Sequence, residues 1–149
     1  LVGIVDPNGT LPSIEFVATD VSPIGDATNE LVTIKSDDEP VGIAYLQTHG
    51  DANTMSFDFV TITPERRGRG YGLATYVTAI ALAQSRGNEF RTHETGISES
   101  AKRIWELLYD RDLAEEVEPF ISNPPGSDSE YNGYYRIKQV LDQPNDPFY

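Results

Sequence analysis

The chain has no cysteine among its 149 residues. That excludes a disulfide framework, a thiolate nucleophile and any Cys-based zinc site, and it allows a reducing compartment. Histidine is almost as scarce: His49 and His93 are the only two, neither has a partner at ligand spacing, and no metal site is expected. Basic residues are few. Lys and Arg number 11 against 24 Asp and Glu, for a formal net charge of −13 and a pI near 4.3. Nucleic-acid affinity normally comes from a basic face, so no nucleic-acid partner is expected and cationic acceptors are favoured. The plainer alternative is that the acidity serves solubility, or adaptation to high salt in a chain with so few lysines. No apolar run approaches the ~20 residues that span a bilayer, and no basic stretch leads into a hydrophobic one at the start, so no membrane partner is expected. A Gly-x-Ser-x-Gly elbow is missing too, which leaves a Ser-His-Asp hydrolase unsupported. The chain begins at Leu1 rather than Met, as expected of a processed product or of a piece of a longer protein.

The length fits one domain over residues 1–149, large enough to bury a core without covalent staples. Asp6-Pro7-Asn8-Gly9 is a turn signal between the apolar segments Val2–Val5 and Ile14–Thr19. Beyond Ser22-Pro23-Ile24-Gly25-Asp26, the segments Leu31–Lys35, Val41–Gln47 and Met55–Thr63 alternate apolar and polar residues and predict an antiparallel meander. Tyr71–Arg86 places Leu73, Tyr76, Val77, Ile80 and Ala83 on one helical face and stops at Gly87-Asn88. A short strand, Glu89–Glu94, follows. Ser98-Glu99 then opens a second helix with Ala101, Ile104, Trp105 and Leu108 at core spacing. Val117–Ile121 and Tyr131–Val140 predict a closing hairpin across a Pro-Pro-Gly loop.

Pro64-Glu65-Arg66-Arg67-Gly68-Arg69-Gly70-Tyr71-Gly72 joins the third meander strand to the first helix. Glycines at every second position let the backbone approach a ligand closely. Their N–H groups lie where the following helix projects its positive end, a place to hold a pyrophosphate. Arg66, Arg67 and Arg69 add charge; the plainer alternative is a solvated basic turn.

Arg67, Gly70 and Gly72 fill the pattern Arg/Gln-x-x-Gly-x-Gly/Ala, and with the strand Phe57–Thr63 before it and the helix after it the loop resembles the acyl-CoA site of the GNAT acetyltransferase superfamily. The resemblance covers roughly residues 31–141. It implies an α+β fold of the three-layer type: a mixed, mostly antiparallel, splayed sheet flanked by helices. It implies acetyl-CoA as cosubstrate, with the pyrophosphate on Arg67, Gly68, Arg69, Gly70, Tyr71 and Gly72 and the pantetheine arm along Val60 and Ile62. With cytosolic CoA implied, a cytoplasmic location is expected, and the sequon Asn8-Gly9-Thr10 reads as a coincidence of turn residues. The family usually places two helices between its first and second strands, as one wall of the acceptor site. Only about ten residues, Val21–Glu30, are available for them here, so either the wall is missing or it lies upstream of Leu1; a missing wall would leave an open acceptor side, suited to a protein amine or another bulky amine.

Attack on a thioester requires a deprotonated amine, so something must take a proton. Asp58 is the first candidate, because alternation along the strand puts it on the face of Val60 and Ile62; a charged residue on a solvated face is the alternative. His93, near the end of the next strand, is the second, set against a structural histidine. A tyrosine from the second helix often protonates the leaving thiolate in this family. Counting from Ser98 and Ala101, which resemble its Asn-x-x-Ala, that position falls on Trp105, and Tyr109 lies one turn further. Tyr109 is therefore the candidate acid, with a plain core residue as the alternative, and Ser98 and Trp105 are expected near the cofactor. The Gly-Phe that usually ends this helix is replaced by Asp112-Leu113. Tyr131, Tyr134 and Tyr135 either line an acceptor pocket or pack on a sheet face, the second being favoured. The leading expectation is an acetyl-CoA-dependent N-acetyltransferase acting by direct attack. The rivals are a weakly active or inactive CoA-binding interaction module and, more remotely, a nucleotide-binding protein, which would lack the Gly-Lys-Ser/Thr ending of a phosphate loop.

Overall fold

Strand alternation in the first half of the chain folds into a meander. The computed structural model describes residues 9–24, 27–50, 53–92, 98–117 and 134–138. Four antiparallel strands follow one another: β1 (Glu15–Ile24), β2 (Ala27–Ser36), β3 (Glu39–His49) and β4 (Thr54–Ile62). A fifth, β5 (Glu89–Phe90), pairs parallel to β4, and the sheet order is β1-β2-β3-β4-β5. The strands outrun their apolar cores. β1 continues through Pro23, tolerated because an edge strand has one side free of ladder bonds. β1 ends at Ile24 and β2 starts at Ala27, paired with it, so the connection is shorter than Val21–Glu30 and has no room for helices. Asp37 and Asp38, both at positive φ (49° and 68°), make the β2–β3 turn, a geometry whose twist matches that of the strands.

Residues directly opposite on paired strands share a face. One face carries Phe16, Ile34, Gly42 and Ile62 in one row and Ala18, Val32, Ala44 and Val60 in the next. Helix α1 (Tyr71–Ser85) belongs to the same unit. Its Tyr76 ring meets Phe57 of β4 edge-on at 5.0 Å, and Phe57 also meets Phe90 at 5.6 Å and Phe16 at 6.4 Å. This aromatic cluster ties β1, β4, β5 and α1 together. Of the predicted apolar face, Tyr76, Val77, Ile80 and Ala83 are buried and Leu73 is half-buried; Ala74, Thr75 and Ala79 are buried as well, so the helix is enclosed on more than one side. It ends as its Gly87-Asn88 signal predicts: Gly87 adopts φ 73° and the Asn88 amide donates to the Ala83 carbonyl at 2.8 Å.

The chain divides into two compact units, Leu1–Phe90 and Arg91–Tyr149. The second contains helix α2 (Glu99–Asp110) and an antiparallel pair, β6 (Ala114–Val117) and β7 (Tyr134–Ile137). Ser98 caps α2 by accepting a hydrogen bond from the Ala101 amide at 3.2 Å. Trp105, Leu108, Leu113, Tyr135 and Ile137 are buried. Trp105 stacks on Tyr135 with ring centroids 6.0 Å apart. β6 and β7 pair antiparallel as the strands of the expected hairpin would, but β6 precedes the predicted strand and shares only Val117 with it; the predicted segments 118–121, 131–133 and 139–140, and the segment Val2–Val5, lie outside the described residues. Among the described residues no helix is long and apolar enough to cross a membrane.

Candidate acyl-CoA site

The glycine loop leaves β4 through a short 3-10 turn, Pro64–Arg66, in which the Arg66 amide donates to the Thr63 carbonyl at 2.9 Å. Thr63 is held in turn by its own amide, which donates to Val41 of β3 at 2.9 Å. Gly68 and Gly70 then take φ of 77° and 87°, a region L side chains rarely enter, and Gly70 is the N-cap of α1. No side chain caps the helix. Among the described residues, the amides of Gly68, Arg69, Gly70, Tyr71 and Gly72 donate to no backbone carbonyl outside the helix's own ladder, and the first turn of a helix offers none within it. Unspent donors at the positive end of a 15-residue helix suit an anion.

The three loop arginines differ. Arg66 is used internally: it pairs with Glu39 Oε2 at 2.7 Å, donates to the Tyr71 hydroxyl at 3.3 Å and lies 6.0 Å from the centre of that ring. The Glu39 hydrogen bond, then that of Tyr71, raises its pKa further, so it stays charged. Arg67 Nε donates to the Ile62 carbonyl at 3.0 Å, which uses one of its five donors. Arg69 is exposed and makes no ion pair among the described residues. Charge for a phosphate is therefore available from Arg67 and Arg69, while Arg66 holds the loop against the β2–β3 turn.

Upstream of the loop, β4 has an open edge. Its parallel pairing with β5 covers only Thr54 and Met55, whereas its pairing with β3 runs on to Ile62. Short of Ile62, whose carbonyl accepts from Arg67, and leaving Asp58 aside, the β4 backbone from Ser56 onward therefore has no strand partner on that side among the described residues, and an extended ligand arm can pair there. Val60 and Ile62 are half-buried along this stretch. Asp58 requires a correction to the placement by alternation. The β3–β4 register passes from Tyr45↔Phe59 to Leu46↔Phe57, so Asp58 is the extra residue of a β-bulge. The partners put Phe57, Val60 and Ile62 on one face, and Asp58 does not share their row. It is exposed, at the point where the strand bends beside its open edge.

The family model described as the acetyltransferase (GNAT) family matches residues 10–107. The chain belongs to the GNAT acetyltransferase family. A protein from Klebsiella pneumoniae provisionally described as an acyl-CoA N-acyltransferase is similar in structure, with a TM-score of 0.55 and 20% identity over 87% of this chain and 98% of that one. An acetyltransferase of Bacillus subtilis in complex with CoA is similar at a TM-score of 0.51 and 14% identity, over 85% of this chain and 96% of the other. No curated protein matches the sequence.

In this GNAT chain the remaining candidates lie in the second unit or outside the described residues. His93 falls outside them. Ser98 spends its oxygen on the α2 cap. Trp105, at the position where the resemblance places an acid, is 1% exposed and covered on one face by Tyr135, so its ring serves the core and offers little surface to a cofactor arm. Tyr109 is 49% exposed, which rules out the plain core alternative, and meets Tyr135 edge-on at 6.1 Å. Tyr135 is a packing residue: burial, then the charges of Glu116, Glu106, Tyr109 and Asp110, push its phenol up. The departure at Asp112-Leu113 has a simple reading. Asp112 takes φ 61°, the left-handed position that glycine fills elsewhere, and Leu113 is buried behind it. Sequence reasoning missed Glu39, 27 positions from its partner Arg66, and no local pattern signals such a pair.

Proposed function

We propose that the chain is an acetyl-CoA-dependent N-acetyltransferase that passes the acetyl group directly to a bound amine. The observation that carries this reading is the continuity of the open β4 edge with the unspent amides of Gly68–Gly72. Together they match the two halves of CoA, an amide-bearing arm and a pyrophosphate. The ammonium first gives one proton, directly or through water, to Asp58 on its bulge. The freed nitrogen lone pair then attacks the thioester carbonyl, the C–S bond breaks with its electron pair leaving on the CoA sulfur, and the second nitrogen proton is released to water as the thiolate takes one up. Catalysis rests mainly on holding amine and thioester together, with the proton step adding ~10²–10⁴-fold. Tyr109, with an exposed phenol, is the candidate donor to the thiolate. The acceptor is a cationic amine drawn by a chain of net charge −13, and the absence of room for helices between β1 and β2 favours a macromolecular amine.

Thermal unfolding with acetyl-CoA, CoA and ATP tests the cofactor half. A ligand at a hundred times its Kd adds ~2.7 kcal/mol. Stabilisation by both CoA forms and not by ATP is the expected outcome; no shift with any of them refutes the reading. A CoA-binding interaction module is favoured by one observation, the buried Trp105 at the usual acid position. Acetyl-CoA binding with at most a slow transfer that is indifferent to replacing Asp58, His93 and Tyr109 together would select it.

A further inference from the structure

The two left-handed glycines of the loop have different surroundings. A Cβ built on Gly68 would meet nothing within 4 Å, whereas one on Gly70 would stand 3.2 Å from Leu11 Cδ2 and 3.5 Å from Pro12 Cδ. One glycine is open on that side and the other is backed by the segment that precedes β1. That segment is pinned in turn: the Ser36 hydroxyl, on a residue 5% exposed, donates to the Ser13 carbonyl at 2.8 Å. Leu11 and Pro12 are themselves half-buried.

We propose that Leu11 is a positioning residue for cofactor binding, holding Gly70 in the one backbone conformation that aims the amides of Gly70, Tyr71 and Gly72 at a single pyrophosphate. The inference rests on the cofactor reading above. Glycine visits positive and negative φ almost equally, so an unsupported Gly70 would sample conformations in which those amides diverge. The Ala74 amide donates to the Gly70 carbonyl at 3.0 Å, which fixes the helix side of Gly70; on its other side no side-chain cap acts among the described residues, and the Arg66–Tyr71 contact holds only the tyrosine side chain. Leu11, packed against the Cα face of Gly70, and Ser36, anchoring the segment that carries Leu11, supply the missing constraint. A loop already ordered binds more tightly because the ordering cost is not charged to the ligand.

The test is calorimetric affinity for acetyl-CoA, with NMR titration of acetyl-pantetheine, which has the same thioester and arm but no pyrophosphate. Each protein is measured well below its own melting temperature. If the binding-competent fraction of the loop falls to between a fifth and a tenth, Leu11→Ala raises the acetyl-CoA Kd by ~5–10-fold. The acetyl-pantetheine affinity stays within about twofold, Leu11→Met restores acetyl-CoA binding, and Ser36→Ala weakens it in the same direction. Parent-like acetyl-CoA affinity in both Leu11→Ala and Ser36→Ala overturns the inference and leaves the cofactor reading intact. Equal weakening of both ligands also overturns it, because that is the mark of a general structural defect. Failure of the parent to bind acetyl-CoA overturns the cofactor reading, and the inference with it.

Discussion

Replacing Gly42 by alanine should cost more stability than replacing either glycine of the loop's left-handed pair. Gly42 sits on β3 opposite Ile62, and a Cβ added there would lie 2.3 Å from the Thr61 carbonyl oxygen, 3.1 Å from Ile62 Cδ1 and 3.2 Å from Ile62 Cα. Two of these are backbone atoms of the partner strand and cannot turn aside as a side-chain tip can. Relief requires β3 and β4 to separate locally, next to the Thr63–Val41 hydrogen bond that anchors the glycine loop. Overpacking in a tight site costs ~1–3 kcal/mol, and a backbone clash of this size belongs at the upper end, ~3 kcal/mol. Gly68→Ala meets open space and bears only the left-handed backbone strain, ~1–2 kcal/mol. For a chain of this length ~1 kcal/mol moves the melting temperature by ~2–4 °C, so Gly42→Ala should melt ~6–12 °C lower. Urea unfolding of parent, Gly42→Ala and Gly68→Ala at one pH settles the comparison. A Gly42→Ala protein within ~1 kcal/mol of the parent, or no less stable than Gly68→Ala, would refute the close-approach argument.

Asp58→Asn should lower transfer to an amine by ~10²–10⁴-fold while acetyl-CoA affinity stays within about twofold; an unchanged rate at saturating substrates would remove Asp58 from the mechanism. Ser98→Ala should destabilise by ~1 kcal/mol through loss of the α2 cap, and Ser98→Asp should restore it, both read by thermal unfolding; a silent Ser98→Ala contradicts the cap. Tyr76 is buried, which raises its pKa from 10.0 to about 12. Between those values the unfolded chain has lost the phenolic proton and the folded one still binds it. Stability is therefore intact below pH ~10 and falls as pH rises toward ~12, by up to ~2–3 kcal/mol. Tyr76→Phe should flatten that part of the stability profile in alkaline unfolding, and an identical slope in both proteins would show that Tyr76 is not the cause.

The fold was legible wherever one residue pattern carried one structural demand. Alternation marked β2, β3 and β4 because each has a face paired into the core rows of Ile34, Ala44 and Val60. Glycines marked both ends of α1 because the left-handed positions at Gly70 and Gly87 are needed there. The bulge at Asp58 was not legible. Alternation changes phase at Phe59-Val60, where two apolar residues adjoin, but which residue is the extra one is fixed only by the β3 partners, which skip Asp58. The ends of β1 and β2 were missed for a related reason: Pro23 and the polar Thr28 and Asn29 are recruited by strand pairing rather than by burial. At the site, the loop's glycines and arginines could be named from sequence, but the separation of Arg66 from Arg67 and Arg69 could not. It depends on Glu39, brought to the loop by the β2–β3 turn.

That separation bears on how a chain of net charge −13 can hold a ligand as anionic as CoA. The overall charge acts over long distances and is screened within ~8 Å at physiological ionic strength, whereas the donors of the loop act at contact. The amides of Gly68–Gly72 bring partial positive charge with no counter-ion, and Arg69 brings a full charge with no ion pair among the described residues. Arg66, nearly neutralised by Glu39, adds little to the field and much to the geometry. Salt screens the long-range repulsion as well as the local attraction, so it should slow cofactor association less than it would at a site built from long-range attraction, and Arg69→Ala should shift the balance toward acceleration by salt. Acceptor association should respond in the opposite sense to a cofactor repelled by the whole chain, since a cationic amine is drawn by the same −13 that the loop has to overcome locally. Under the proposed function the division of labour is physical: distant acidity would gather the amine, and contact donors on one short loop would hold the phosphate.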